Sequence, residues 1–156
     1  MASTLTRELR QTIPFTNLQE EVFLSILRTG DALIQAEARL LRKANLSFAQ
    51  YNVLRILRGA GKQGATCGDI AGRMVNRDPD VTRLLDRLEE RGLVERARDE
   101  QDRRIVVGVI TSEGLQILKA LDKTVPTVHR TQLAHMTRKQ LQTLVDLLAL
   151  ARTPTV

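Results

Sequence analysis

The sequence predicts a mainly α-helical chain with one small β-hairpin, and three observations carry that expectation. Apolar residues recur at spacings of three, four and seven both before and after the middle of the chain. Capping residues and glycines punctuate those stretches at helix-like lengths. Only residues 93–110, "LVERARDEQDRRIVVGVI", instead join two strand-like runs through a polar turn.

Each element has its own reason. After a short polar lead, Thr16 and Asn17 offer caps, Glu20 lies three residues beyond Asn17, and Phe23, Ile26, Leu27, Leu33, Ile34, Leu40 and Leu41 follow at helical spacing. This is a long amphipathic helix over about residues 18–44. Val22 and Leu24 widen its apolar side, so it needs more than one packing partner. The stretch "LSFAQYNVLRILRGAG" carries a capping box, Ser47 with Gln50, and a hydrophobic staple, Leu46 on Tyr51; Gly59 and Gly61 end it. In "TCGDIAGRM" Thr66 and Asp69 repeat the capping box and Ile70 and Met74 face inward. Gly68 and Gly72 weaken that short helix, so packing must hold it.

In "NRDPDVTRLLDRLEERGLV" Asp78 is the expected cap, Pro79 the first helical residue and Gly92 the stop. Val81, Leu84, Leu85 and Leu88 form its inner face, leaving Asp80, Thr82, Arg83, Asp86, Arg87 and Glu90 to the other sides. Strands are expected over 93–98 and 103–110, with 99–102 as the turn. Thr111 or Ser112 then caps a helix running from Glu113 through Val125, where Pro126 should kink or interrupt it. A last helix follows the capping box of Thr137 and Gln140 and carries Leu141, Leu144, Val145, Leu147, Leu148 and Leu150. Residues 46–111 make one small domain, marginal alone, and residues 1–45 and 112–156 are expected to return together as a second, helical lobe.

Composition narrows the function classes. The 156 residues are 42% hydrophobic and 27% charged, which suits one compact unit or two small lobes. No apolar run approaches the roughly 20 residues of a membrane span, and "MASTLTRELRQTIPF" lacks the apolar core of a signal peptide, so a cytoplasmic location without membrane partners is expected. A single cysteine, Cys67, and two histidines, His129 and His135, cannot form a disulfide or the usual structural zinc set within one chain, and no metal is expected. Cys67 is expected as a small packed residue, with thiol-based redox sensing as the alternative. The histidines are six apart near the Pro126 break and are expected at the surface or at a dimer interface. No phosphate loop, nucleophile elbow or paired carboxylates with a nearby base occur, so neither an enzyme nor a cofactor is expected. The net charge of +6 and the pI near 10.2 favour an anionic partner.

A short helix, the turn "VNR", an exposed polar helix and a charged hairpin stand in the order of a winged helix-turn-helix, whose second helix enters the major groove of double-stranded DNA. Side chains on the leading half of that helix would reach base edges: Arg77, Asp80, Thr82, Arg83 and Arg87. Arginine can bond guanine at two points, while Asp80 could accept from cytosine or orient a neighbouring arginine. The alternative is an interaction module that has kept the scaffold and lost DNA binding. Residues 46–111 hold 12 Lys and Arg against 10 Asp and Glu, so only +2 of the net charge lies in this domain.

The segment "DPDVTRLLDRLEERGLVERARDEQDRRIVVGVIT", with Gly114 beyond it, resembles the MarR family of multiple-antibiotic-resistance-type regulators. Its specific elements are "VTRLLDRLEERGLVER", "DRR" and "VIT"; the flanks match by helix order alone. The resemblance implies a homodimer paired through its terminal helices, two winged domains on a pseudo-palindromic operator, and a transcriptional repressor that a small lipophilic or phenolic inducer can release. It also implies a wing-tip pair at Asp102 and Arg104, the arginine entering the minor groove and the aspartate holding it. Arg98 and Arg103 are neighbouring candidates for phosphate contacts. Arg39, Arg42 and Tyr51 lie near the junction of the two lobes, with surface charge and the staple as their simplest roles.

Overall fold

Helix starts are fixed largely by side-chain caps. A computed structural model describes residues 4–76, 80–99 and 101–153. In it, α1 (Thr4–Glu8), α2 (Leu18–Arg42), α3 (Phe48–Ala60), α4 (Cys67–Arg73) and α5 (Val81–Glu90) precede β1 (Val94–Arg98) and β2 (Val106–Ile110). Three helices follow: α6 (Ser112–Leu121), α7 (Thr124–Gln132) and α8 (Arg138–Ala151). Asn17 caps α2, and the boxes Ser47 with Gln50, Thr66 with Asp69 and Thr137 with Gln140 are all closed in both directions.

The core is built on α3, which packs against α2, α4, α5, α6 and β2. Leu54 and Leu57 of α3, Leu41 of α2, Ile70 of α4, Leu85 and Leu88 of α5 and Leu118 of α6 are fully buried in one cluster. Removing a side chain of this kind from water contributes about 1.5–3 kcal/mol. The staple partners Leu46 and Tyr51 are buried in the same cluster. The two strands pair antiparallel from Val94 opposite Ile110 to Arg98 opposite Val106. Ahead of α4, Ala65 exchanges two backbone hydrogen bonds with Gly108, at 3.0 and 2.9 Å, and so adds an edge to β2.

Several expectations are corrected. The polar lead forms α1, which buries Leu5. The helix expected from Asp78 and Pro79 starts at Val81 with Asp80 as its cap; Asp78 and Pro79 lie outside the described residues. The second strand begins at Val106 rather than at residue 103, because the carboxylates of Asp99 and Asp102 take the amides of the intervening loop. The helix after the hairpin ends at Leu121 rather than running to Val125. Its end is still the work of Pro126, since a proline has no N–H for the carbonyl four residues back and its ring crowds that carbonyl, here that of Asp122. Pro126 itself sits in the first turn of α7, where a missing N–H leaves no intrahelical bond unmade. The hydroxyls of Thr124 and Thr127 donate to the carbonyls of Leu121 and Lys123 around the break.

Helix α7 was not foreseen as a separate element. It lies against α2, where His129 Nε2 and Glu37 Oε2 are 2.9 Å apart and Gln132 Nε2 donates to the Leu33 carbonyl at 3.1 Å. His129 is thus half-exposed but engaged within its own chain by a buried carboxylate. In contrast, α8 buries no residue, and its Val145, Leu147 and Leu150 are exposed together with Leu18, Phe23 and Leu27 of α2. No helix among the described residues is long and apolar enough to cross a membrane.

Candidate nucleic-acid interface

The exit from α4 is held by a buried side chain. Asn52, on α3, accepts the Val75 amide on its Oδ1 at 2.8 Å, which fixes where the chain leaves α4. Helix α5 then begins at Asp80, whose Oδ1 accepts the Arg83 amide at 3.1 Å while its Oδ2 lies 3.1 Å from Arg83 Nε. Of the two roles open to Asp80, the geometry therefore shows the orienting one. Val81, Leu84, Leu85 and Leu88 are buried, and Thr82, Arg83 and Arg87 are exposed on the opposite side. Arg77, the fifth recognition-helix candidate, lies outside the described residues.

The wing is a loop braced by its own carboxylates. Asp99 Oδ1 accepts the amides of Gln101 and Asp102, both at 2.9 Å, and the backbone closes from the Asp99 amide to the Ile105 carbonyl at 3.0 Å. Asp102 Oδ1 in turn accepts the Arg104 amide at 3.0 Å and Arg104 Nε at 3.2 Å. The Arg104 side chain is 92% exposed, so the aspartate steers a cation that projects away from the protein. Arg98 donates to the Arg103 carbonyl at 3.1 Å, and both residues are exposed.

Wing and helix are joined by a residue that periodicity did not single out. Arg96, on β1, donates through Nη2 to Asp86 Oδ1 at 2.5 Å and through Nη1 to Glu89 Oε2 at 2.7 Å, bridging β1 to α5. The hydrogen bond that Arg96 donates to the Asp86 carboxylate raises the Arg96 pKa further above its already high ordinary value. The available signal was the alternation of β1, which turns Arg96 and Arg98 to the same face, opposite to Ala97. What the sequence hid was the pair of acids on α5 that meets it. A second link, Arg91 at the end of α5, donates to the Asn45 carbonyl at 2.6 Å and ties α5 to the turn after α2. Arg58 of α3 meets Asp122 at 2.8 Å across to the α6–α7 break.

Glycines set two close approaches. At Gly114 a Cβ would stand 2.5 Å from the Leu93 carbonyl oxygen and 2.7 Å from Ile110 Cγ1, so α6 can start flush against the base of the hairpin only without a side chain there. Thr111 completes that junction: it caps α6 and its hydroxyl donates to the Gly92 carbonyl at 2.7 Å. Of the residues near the lobe junction, Tyr51 is buried, and burial pushes its phenol pKa up, opposed by the Arg55 guanidinium over its ring. Arg39 and Arg42 are exposed.

Cys67 corrects an expectation: it is exposed, not packed. As the first residue of α4 it follows directly on the Thr66 cap, and Ile70 and Met74 take the buried side of that helix. Among the described residues no group of three or more His, Cys, Asp or Glu side chains is placed to hold a metal ion.

Helix α4, a second helix with an open polar face and a braced basic wing make up a winged helix-turn-helix fold. Residues 46–106 match the MarR family. The chain is 39% identical to a MarR transcription factor of known structure from Planctomyces limnophilus, over 88% of this chain and 99% of that one, with a TM-score of 0.65. It is 25% identical to CouR of Rhodococcus jostii RHA1, solved with p-coumaroyl-CoA, over 91% and 99% of the two chains, with a TM-score of 0.74. It is also 25% identical to the homoprotocatechuate degradative operon repressor of Escherichia coli, over 84% of this chain and 87% of that protein. The chain belongs to the MarR family of DNA-binding transcriptional regulators.

Proposed function

We propose that this chain is a homodimeric repressor that sets α5 into successive major grooves of a pseudo-palindromic operator and Arg104 into the flanking minor groove. The observation that carries the reading is the Asp102 brace, which holds an almost fully exposed arginine at the wing tip, joined through Arg96 to a helix whose open face carries Thr82, Arg83 and Arg87. A narrow minor groove has an enhanced negative potential that rewards such a side chain. Arg103 and Arg98 supply phosphate contacts, and Arg77, which precedes the reading helix in sequence, a further contact.

Dimerisation is supported by apolar surface that a lone chain leaves in water. Phe23 is 62% exposed and Leu18 71% on α2, and Leu150 is 69% exposed on α8. Such surface, clustered on the first and last long helices, is what an interface covers. Residues 1–45 and 112–156 then form the dimerisation lobe and residues 46–111 the reading head. The names of two relatives, one solved with p-coumaroyl-CoA and one a homoprotocatechuate operon repressor, support a small aromatic acid or its thioester as inducer.

The test is selection of bound duplexes from fragments of the host genome, followed by affinity measurement at several salt concentrations. The reading requires paired half-sites about one helical turn apart, ~10 bp. Arg83→Ala should alter base preference, whereas Arg104→Ala should weaken binding on every sequence that keeps the minor-groove geometry. A chain that enriches no sequence at moderate salt, or that sediments as a monomer, would overturn it.

A further inference from the structure

We propose that the groove between the turn Gly61–Gln63 and the wing is a second phosphate-backbone site, in which Lys62 holds the DNA strand on the side of the wing away from α5. The inference rests on the reading of the wing as a minor-groove probe. The groove has a volume of about 470 Å3 and is lined by Lys62, Gln63, Ala97, Arg98, Asp99 and Gln101, with Val107 at its floor. Its lining residues Asp99 and Gln101 belong to the same braced loop as Asp102 and Arg104.

The two faces of the hairpin are used differently. Arg96 turns to α5 and bonds Asp86 and Glu89, while its neighbour Ala97, pointing to the other face, lines the groove beside Lys62. A side chain inserted into a minor groove about 6 Å wide has a phosphate strand on each side of it. Helix α5 lies toward one of those strands, and the 61–63 turn lies toward the other.

The turn is also held firmly enough to act as a contact. Gly64, at φ +68°, brings it so close to β2 that a Cβ would stand 2.5 Å from the Gly108 carbonyl oxygen, and Ala65 is hydrogen-bonded to Gly108 in both directions. Lys62 therefore moves with the wing rather than with a free loop. Lys62 is exposed, and Gln63 and Gln101 add side-chain amides that can donate to phosphate oxygens.

The experiment uses the whole chain and a duplex that it has itself selected from a random pool, together with a scrambled duplex of equal length. Affinity is measured between 50 and 200 mM salt. Lys62→Ala is expected to lower the slope of log affinity against log salt by about 0.9 for each phosphate no longer neutralised, roughly a threefold smaller fall in affinity over that range. The fold-loss at fixed salt should be the same on both duplexes, because a phosphate contact carries no base information, and Lys62→Arg should restore the slope. An unchanged slope in Lys62→Ala, or a weakening confined to the selected duplex, would overturn the assignment. Failure of the unaltered protein to select any duplex would instead remove the reading of the wing on which the assignment rests.

Discussion

Truncating Arg96 to alanine removes both bonds that join β1 to α5, and the structure fixes the scale of the effect. The Arg96 side chain is 32% exposed, and its partners Asp86 and Glu89 are 46% and 40% exposed. With both acids more than a third open to water, each contact falls in the range of screened surface pairs, about 0.2–1 kcal/mol. The two together are expected to contribute about 0.5–2 kcal/mol, which for a chain of this length lowers Tm by roughly 2–4 °C per kcal/mol. The informative measurement is a double-mutant cycle by urea unfolding, pairing Arg96→Ala with Asp86→Ala and separately with Glu89→Ala. Coupling should be resolved in both cycles and larger with Asp86, whose contact is shorter and dominates the raised Arg96 pKa. Because independent sites add to within about 0.3–0.5 kcal/mol, additivity in both cycles would refute the bridge.

Two further outcomes follow from packing and titration. Gly114→Ala must push a Cβ into the Leu93 carbonyl and Ile110, so it is expected to cost about 1–3 kcal/mol, whereas Gly30→Ala on α2, with nothing within 4 Å, should be neutral or stabilising by up to about 1 kcal/mol. Equal Tm values for the two variants would contradict the junction described. Asp69 should titrate by NMR below the ordinary carboxylate range, chiefly because the Thr66 hydroxyl donates to it, and Thr66→Val should move it back up. A depressed folded-state pKa means that its stabilising contribution is present above the ordinary carboxylate range and is lost as pH falls through the depressed value.

Local chemistry was legible in the residues. The capping boxes of Ser47, Thr66 and Thr137 close as their spacing predicts, because a cap needs only its own residue and the third one after it, whereas at α2 Asn17 caps but Glu20 takes the amide of Thr16 instead. The inner face of α5 was legible for the same reason, since a 3.6-residue period sorts four apolar residues to one side. The wing pair Asp102 and Arg104 came from a family pattern, and its contact is again local, between residues two apart.

Misreadings fall where a distant partner or a competing local bond decides. The cap of α5 was misassigned because Asp78 and Asp80 offer the same carboxylate chemistry two residues apart. The hairpin loop proved longer because side chains claimed amides that a strand would have used. Cys67 was expected inside on residue type alone, yet the cap at Thr66 sets the phase of α4 and leaves its first residue outside.

By itself, then, the sequence determined the fold class, the order of reading helix and wing, and the absence of a within-chain disulfide, all from contacts between near neighbours and from composition. Only the tertiary structure decided that Arg96 meets Asp86 and Glu89, that Asn52 holds the exit from α4, that Glu37 meets His129 and that Lys62 stands beside the wing. These groups are brought together by the packing of α2, α3, α5, α7 and the hairpin around one core. No short-range period encodes which side chains such packing makes neighbours.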